Sequence, residues 1–87
     1  MRQRGWPAVC YAEKNIRINV VASGAIATEA SKALLSHELK SELSAKSAMQ
    51  RMSEPEEIVR ASLWLCSDEA CDITGVTLPV DGGMAVK

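Results

Sequence analysis

Ile16-Arg17-Ile18-Asn19-Val20-Val21-Ala22-Ser23-Gly24-Ala25-Ile26-Ala27-Thr28 is the stretch whose reading decides the fold. It begins as a near-continuous β-branched run, the pattern of a strand apolar on both faces, as in a parallel sheet. A strand is predicted over residues 17–22, with Val20 and Val21 sandwiched. The run breaks at Ser23-Gly24, where the chain can turn over the strand's carboxyl end. In an open α/β sheet that edge is where ligands sit.

Downstream, Thr28 is a natural N-cap, and residues 29–48, rich in Ala, Leu, Lys and Glu without Pro or Gly, predict one helix. Leu35, Leu39 and Leu43 recur at four-residue spacing and give a narrow apolar stripe. His37 falls off that stripe and reads as a surface residue. So polar a helix beside a ligand edge suits either a movable lid or a plain surface helix. Ser53-Glu54-Pro55-Glu56 predicts a second helix, with Ser53 and Glu56 as a capping box and Pro55 in the first turn. Glu54, Glu56 and Glu57 favour the positive end of its dipole, which gives these carboxylates a structural role. Positions 58, 61 and 65 mark its apolar face, and 59, 63 and 66 widen it toward contact on more than one side. Ser67-Asp68-Glu69-Ala70 ends the helix, and Thr74-Gly75 turns the chain into a second strand over residues 76–80. Pro79 cannot donate to a ladder, so that strand belongs at or near a sheet edge. Asp81-Gly82-Gly83 closes it with turn chemistry.

Upstream, residues 1–14 form a poorly defined segment. Gly5-Trp6-Pro7 interrupts a helical pattern, residues 8–14 predict a short helix, and Asn15 is its stop. Tyr11 and Lys14 are three apart, a spacing that places both on one helix face. A Tyr base needs such a Lys, but here no Ser partner precedes them, and the strand follows within a few residues. They read as an amphipathic Tyr and a solvated Lys.

The 87 residues allow one small domain with an aliphatic core: hydrophobic content is 47%, but Phe is absent and aromatics are 3%. A net charge of −1 gives no electrostatic case for nucleic acid or an anionic membrane surface. No apolar run approaches the roughly 18 residues needed to span a bilayer. Arg2 and Arg4 are not followed by the apolar segment of a signal peptide. Cys10, Cys66 and Cys71 lack metal-ligand spacing and read as reduced thiols of a cytoplasmic protein, Cys66 as a buried small hydrophobe.

Strand, helix, helix, strand is a crossover unit. Its residues resemble the C-terminal part of a classical short-chain dehydrogenase/reductase across roughly four-fifths of the chain. The likeness rests on residues 15–28, Arg51-Met52-Ser53-Glu54-Pro55-Glu56-Glu57-Ile58, Leu65-Cys66-Ser67-Asp68-Glu69-Ala70, Ile73-Thr74-Gly75 and Val80-Asp81-Gly82-Gly83, in that order and spacing. The resemblance implies an α/β fold: the C-terminal fragment of a doubly wound, Rossmann-like parallel sheet, with residues 15–83 as its family-like part and the whole chain as one partial domain. In that family the loop after the penultimate strand reads Pro-Gly-x-Ile-x-Thr and contacts the nicotinamide end of NAD or NADP. Gly24, Ile26 and Thr28 match and are the implied cofactor-binding residues. Ser23 stands where Pro is usual, which frees the backbone and adds a hydroxyl.

No GxxxGxG or GxGxxG phosphate loop occurs, nor the family's Asn-Ala-Gly turn, catalytic Ser or Tyr-x-x-x-Lys. No catalytic residue is therefore assigned, and neither turnover nor tight cofactor binding is expected of this chain. The resemblance implies an oxidoreductase lineage, transferring hydride between nicotinamide and an alcohol or carbonyl. The alternatives are a non-catalytic assembly module or a truncated product without a selected role. Two parallel strands leave edges unpaired, so self-association or pairing with a related subunit is expected. The family's use of its last helix and strand in oligomers implies residues 53–66 and 76–80 as the contact elements. Trp64 packs either in that contact or within the chain.

Overall fold

The structure, a computed structural model, describes residues 7–87. The readings that rest on Arg2, Arg4, Gly5 and Trp6 lie outside the described residues. Helix α1 spans Pro7–Ala12, strand β1 Val20–Ser23, helix α2 Glu29–Leu34, helix α3 His37–Ala45, helix α4 Pro55–Cys66 and strand β2 Thr77–Val80. Short 3-10 turns at Asp68–Ala70 and Met84–Val86 follow α4 and β2. The fold is α/β. β1 and β2 pair in parallel, with Val20, Val21, Ala22 and Ser23 opposite Thr77, Leu78, Pro79 and Val80.

Strand β1 is shorter than predicted and starts three residues later. Arg17 and Asn19 account for the difference, because their side chains take over bonding to the neighbouring segment. The Arg17 guanidinium donates through Nη1 to the Leu65 and Ile73 carbonyls, at 2.7 and 3.2 Å, and through Nη2 to the Ser67 carbonyl at 3.3 Å. At the Leu65 and Ser67 carbonyls the cation meets the negative end of the α4 dipole. Asn19 donates through Nδ2 to the Ile73 carbonyl at 3.0 Å and accepts the Val76 N–H at 3.0 Å, standing in for a strand partner.

Residues 29–48 do not form one helix. The chain breaks between α2 and α3, where the Ser36 hydroxyl caps α3 by accepting the Leu39 N–H at 3.1 Å. A local Ser–backbone bond competes well with helix continuation. Leu35 thereby leaves the stripe it was expected to share with Leu39 and Leu43, and Leu39 is exposed. The start of α4 is also displaced by one residue. Its N-cap is Glu54, with Pro55 at the first helical position and the Glu57 carboxylate accepting the Glu54 N–H at 3.3 Å. Ser53 is occupied elsewhere: it is buried in a parallel bridge with Ile26.

Helix α4 packs on both strands and on the following 3-10 turn. Leu65 is buried on that side, whereas Val59, Leu63 and Trp64 are exposed on the outer one. Cys66 is exposed as well, contrary to the burial expected of it, because it belongs to the uncovered side of the helix end. Val21 lies beside Ser62 and Leu65 of α4. Val20 is on the opposite face of the sheet and is 42% exposed, so the predicted sandwich is half built: one layer of helix covers one face. α1 begins at Pro7 and stops before Asn15, which takes φ 61°, the left-handed stop expected there. Lys14 Nζ stands 5.6 Å from the centre of the exposed Tyr11 ring, a solvent-side cation–π contact.

Candidate functional site

Because β1 and β2 are parallel, their carboxyl ends lie at one edge of the sheet, and the loops leaving them meet there. From β1 the chain enters Gly24–Thr28; from β2 it enters Asp81-Gly82-Gly83. Gly24 packs directly on the second turn: a Cβ built on it would stand 3.0 Å from Asp81 Cβ and 3.2 Å from Met84 Cε. The Asp81 carboxylate folds that turn by accepting the Gly83 N–H at 2.9 Å and the Ala85 N–H at 3.0 Å. Gly82 and Gly83 take φ 62° and 88°, as expected for glycine-dependent turn chemistry.

Ile26 is held by the bridge to Ser53. The Ser53 N–H donates to the Ala25 carbonyl at 2.8 Å, and the Ala27 N–H donates to the Ser53 carbonyl at 2.7 Å. The bonds on either side of Ile26 turn its own amide away from Ser53, and that N–H has no partner among the described residues. Its carbonyl accepts the Thr28 N–H at 3.1 Å. Thr28 caps α2, its Oγ1 accepting the Ser31 N–H at 3.1 Å, so the hydroxyl proton is left for an acceptor. The loop therefore presents one free backbone donor and one free hydroxyl donor on a tight frame. That donor set fits a carboxamide oxygen, the polar handle of a nicotinamide.

An open groove of about 460 Å³ lies beside this edge, lined by Met49, Arg51, Ser53, Pro79, Asp81 and Gly82. Gly24, Ile26 and Thr28 do not line it. Ser47, buried against Gly82 at this edge, was missed in the sequence. Ser47 Oγ donates to the Arg51 carbonyl at 3.0 Å and accepts the Arg51 N–H at 3.2 Å, knotting the turn before α4. The sequence offered no signal for this beyond a Ser four residues before Arg51. Met49 N–H then donates to the Gly82 carbonyl at 2.9 Å, tying that turn to the end of β2.

The carboxylates near α4 are structural, as their spacing implied. Glu57 pairs with Arg51 at 3.0 Å, and Lys32 with Glu54 at 3.6 Å. The Arg51 hydrogen bond, with a smaller contribution from the Glu54 N–H, holds the Glu57 carboxyl below the usual carboxylate range. His37 is exposed at the start of α3. Among the described residues no group of three or more His, Cys, Asp or Glu is placed to hold a metal ion, and no helix is long and apolar enough to cross a membrane.

The family described as Enoyl-(Acyl carrier protein) reductase matches residues 6–85. The chain is 43% identical over 79 residues to glucose 1-dehydrogenase 2 of Bacillus subtilis (strain 168), covering 91% of this chain and 31% of that protein. It is 39% identical over 71 residues to the 7alpha-hydroxysteroid dehydrogenase of Escherichia coli (strain K12), covering 82% of this chain and 28% of the relative. Among solved structures, the 3-oxoacyl-[acyl-carrier protein] reductase from Brucella melitensis ATCC 23457 superposes with a TM-score of 0.84 at 32% identity. That match covers 92% of this chain and 30% of that one. The chain thus spans about a third of the length of the relatives it matches. The parallel pair, the shared carboxyl edge and these matches make the chain a member of the short-chain dehydrogenase/reductase family.

Proposed function

We propose that this chain supplies the nicotinamide-side rim of an NAD- or NADP-dependent oxidoreductase and does not turn over substrate by itself. The observation that carries this reading is the frame of Gly24, Ile26 and Thr28 at the carboxyl edge, with the Ile26 N–H unpartnered among the described residues and the Thr28 hydroxyl proton left to donate. Bound there, nicotinamide supplies the hydride acceptor or donor. The chain's own part is to orient the ring by its carboxamide, while Gly24 lets the loop close on Asp81. Proton transfer to or from a substrate carbonyl needs an acid–base group beside it. Tyr11, exposed and stacked under Lys14, belongs to the far end of α1 rather than to this edge. Pyrophosphate binding needs a helix N-terminus preceded by a Gly-rich loop, which these 87 residues do not contain.

The experiment is a pair of measurements on the purified chain. Absorbance at 340 nm is followed with both cofactors over a panel of alcohols and ketones, and reduced cofactor is titrated by fluorescence. No turnover and only millimolar binding are expected, the latter weakened further by Thr28→Ala. A rate abolished by Tyr11→Phe would overturn the assignment.

The relatives suggest substrates from sugars to steroids and acyl carriers, and nothing on this rim favours one. We also propose that the outer side of α4, with Val59, Leu63 and Trp64 exposed, together with the adjoining β2 residues of the 53–66 and 76–80 segments, serves in subunit contact. What supports it is apolar area without cover among the described residues.

A further inference from the structure

On α3, His37, Lys40, Ser41 and Ser44 recur at three- and four-residue spacing and so share one side of the helix. With Ala45 and Gln50 they line an open groove of about 410 Å³, within the size range of small-molecule sites. Every lining residue comes from the segment 37–50, which folds back on itself, so no other part of the fold is needed to form the groove. The fold-back depends on Ser47, whose buried hydroxyl bonds the Arg51 backbone, and on Gln50, which takes φ 56°. The Gln50 N–H donates to the Ser47 carbonyl at 3.1 Å. A left-handed backbone strains any residue that carries a Cβ, and glycine avoids that strain. Here the strained position keeps a long polar side chain, and that side chain completes the groove against α3. Strain retained at such a place points to a use for the side chain.

The lining is a set of donors. His37, Lys40, Ser41, Ser44 and Gln50 all carry N–H or O–H groups, and no Asp or Glu lines the groove. Glu38 and Glu42, the carboxylates of α3, fall on the adjoining side of the helix. The Lys40 ammonium is held in place: its Nζ donates to the Lys32 carbonyl, in the last turn of α2, at 2.8 Å and keeps two protons to give. Among the described residues the side chains of His37, Ser41, Ser44 and Gln50 hold no hydrogen bond. One fixed cation among further donors, with no carboxylate, fits an oxyanion better than a neutral polyol or a cation. We infer that this groove binds the phosphate group of a small molecule, with Lys40 as its charged partner and His37, Ser41, Ser44 and Gln50 as the other donors. The groove is tied to the carboxyl edge, because Met49, next to Gln50, donates its N–H to the Gly82 carbonyl at 2.9 Å. Under the nicotinamide reading the occupant is the phosphate end of an alcohol or ketone substrate. The substrate assignment rests on that reading; the phosphate site does not.

The test is an amide NMR titration of the full chain, at constant pH and ionic strength, with glycerol 3-phosphate, inorganic phosphate and glycerol. Both phosphates are expected to shift the amides of residues 37–50 saturably, and glycerol is not. Tighter binding of glycerol 3-phosphate marks a phosphate ester as the ligand; tighter binding of inorganic phosphate marks the free ion. Lys40→Gln is expected to weaken binding about tenfold, the loss of one charge-assisted hydrogen bond. Gln50→Gly relaxes the left-handed turn, so it should raise the urea midpoint while weakening binding, a pair of effects that a purely structural role would not produce. Lys46→Gln removes the same charge outside the groove and should leave the affinity unchanged. Shifts that do not saturate overturn the inference. So does glycerol binding as well as the phosphates do, or equal affinity in the parent chain and Lys40→Gln. Reduced cofactor is titrated separately and read at Ile26 and Thr28, so failure of the nicotinamide reading is told apart from failure of the phosphate site.

Discussion

A methyl group added at Gly24 would meet Asp81 Cβ at 3.0 Å and Asp81 Cα at 3.3 Å, so the loop after β1 and the turn after β2 must part to admit it. Gly24→Ala is expected to cost about 1–3 kcal/mol, the usual range for overpacking, read as a lower urea midpoint. Asn19 is a second position where one atom decides. Its Nδ2 faces the Ile73 carbonyl and its Oδ1 faces the Val76 N–H. Asn19→Asp keeps the shape but sets an acceptor against a carbonyl. It is expected to destabilise by about 1–3 kcal/mol, more than Asn19→Ser does, by the same measurement. Neither role was legible in the sequence. A Gly after a strand reads as a turn, but what it touches is 57 positions away. Asn19 reads as a polar interruption of a β-branched run until Ile73 and Val76 are placed beside it.

At the scale of elements, caps and helix ends govern. Ser36 separates α2 from α3 through its bond to the Leu39 N–H, and Ser36→Ala is expected to cost about 1 kcal/mol. Because 29–48 lacks helix breakers, that variant should also let α2 and α3 merge, so helical ellipticity is expected to hold or rise while the urea midpoint falls. Glu57 sets the pH response of the start of α4. Its folded carboxyl is held below the ordinary 4.5 by the Arg51 hydrogen bond, so the charged form is favoured in the folded state. That contribution is fully present above pH 4.5 and is lost as pH falls through the lowered value. Glu57→Gln should lower stability near neutrality, where that contribution is present in the parent chain, and flatten the profile in the acid window, where the two chains converge. The salt bridge is exposed, so 1 M salt should reduce the effect. The acidic, Pro-opened start of α4 was readable in the sequence to within one residue. The shift from Ser53 to Glu54 came from the Ile26 bridge, a long-range bond that outbids a local cap.

At the scale of the molecule, one face of the sheet is covered and one is not. α4 shields Val21 and leaves Val20 open. Full burial of the remaining fully buried apolar side chains is confined, among the described residues, to Ala8, Leu65 and Ala70. Association should therefore contribute much of the chain's stability, and the thermal midpoint is expected to rise with protein concentration, as it does for folding coupled to assembly. Differential scanning calorimetry over a hundredfold range of concentration checks this; a midpoint that stays fixed would show that the chain stands alone.

The sequence by itself determined the α/β class, the two strands and the family, because β-branched runs, Pro and Gly punctuation and helix-start chemistry are local properties that act within a few residues. It also placed Thr28 as a cap and Asp81-Gly82-Gly83 as a turn. Only the tertiary structure decided that Arg17 straps β1 to the end of α4 and that Ser53 serves a bridge rather than a cap. Those outcomes depend on which backbone groups are left without partners once distant segments meet, and bonds between residues some thirty to fifty positions apart have no period in the sequence.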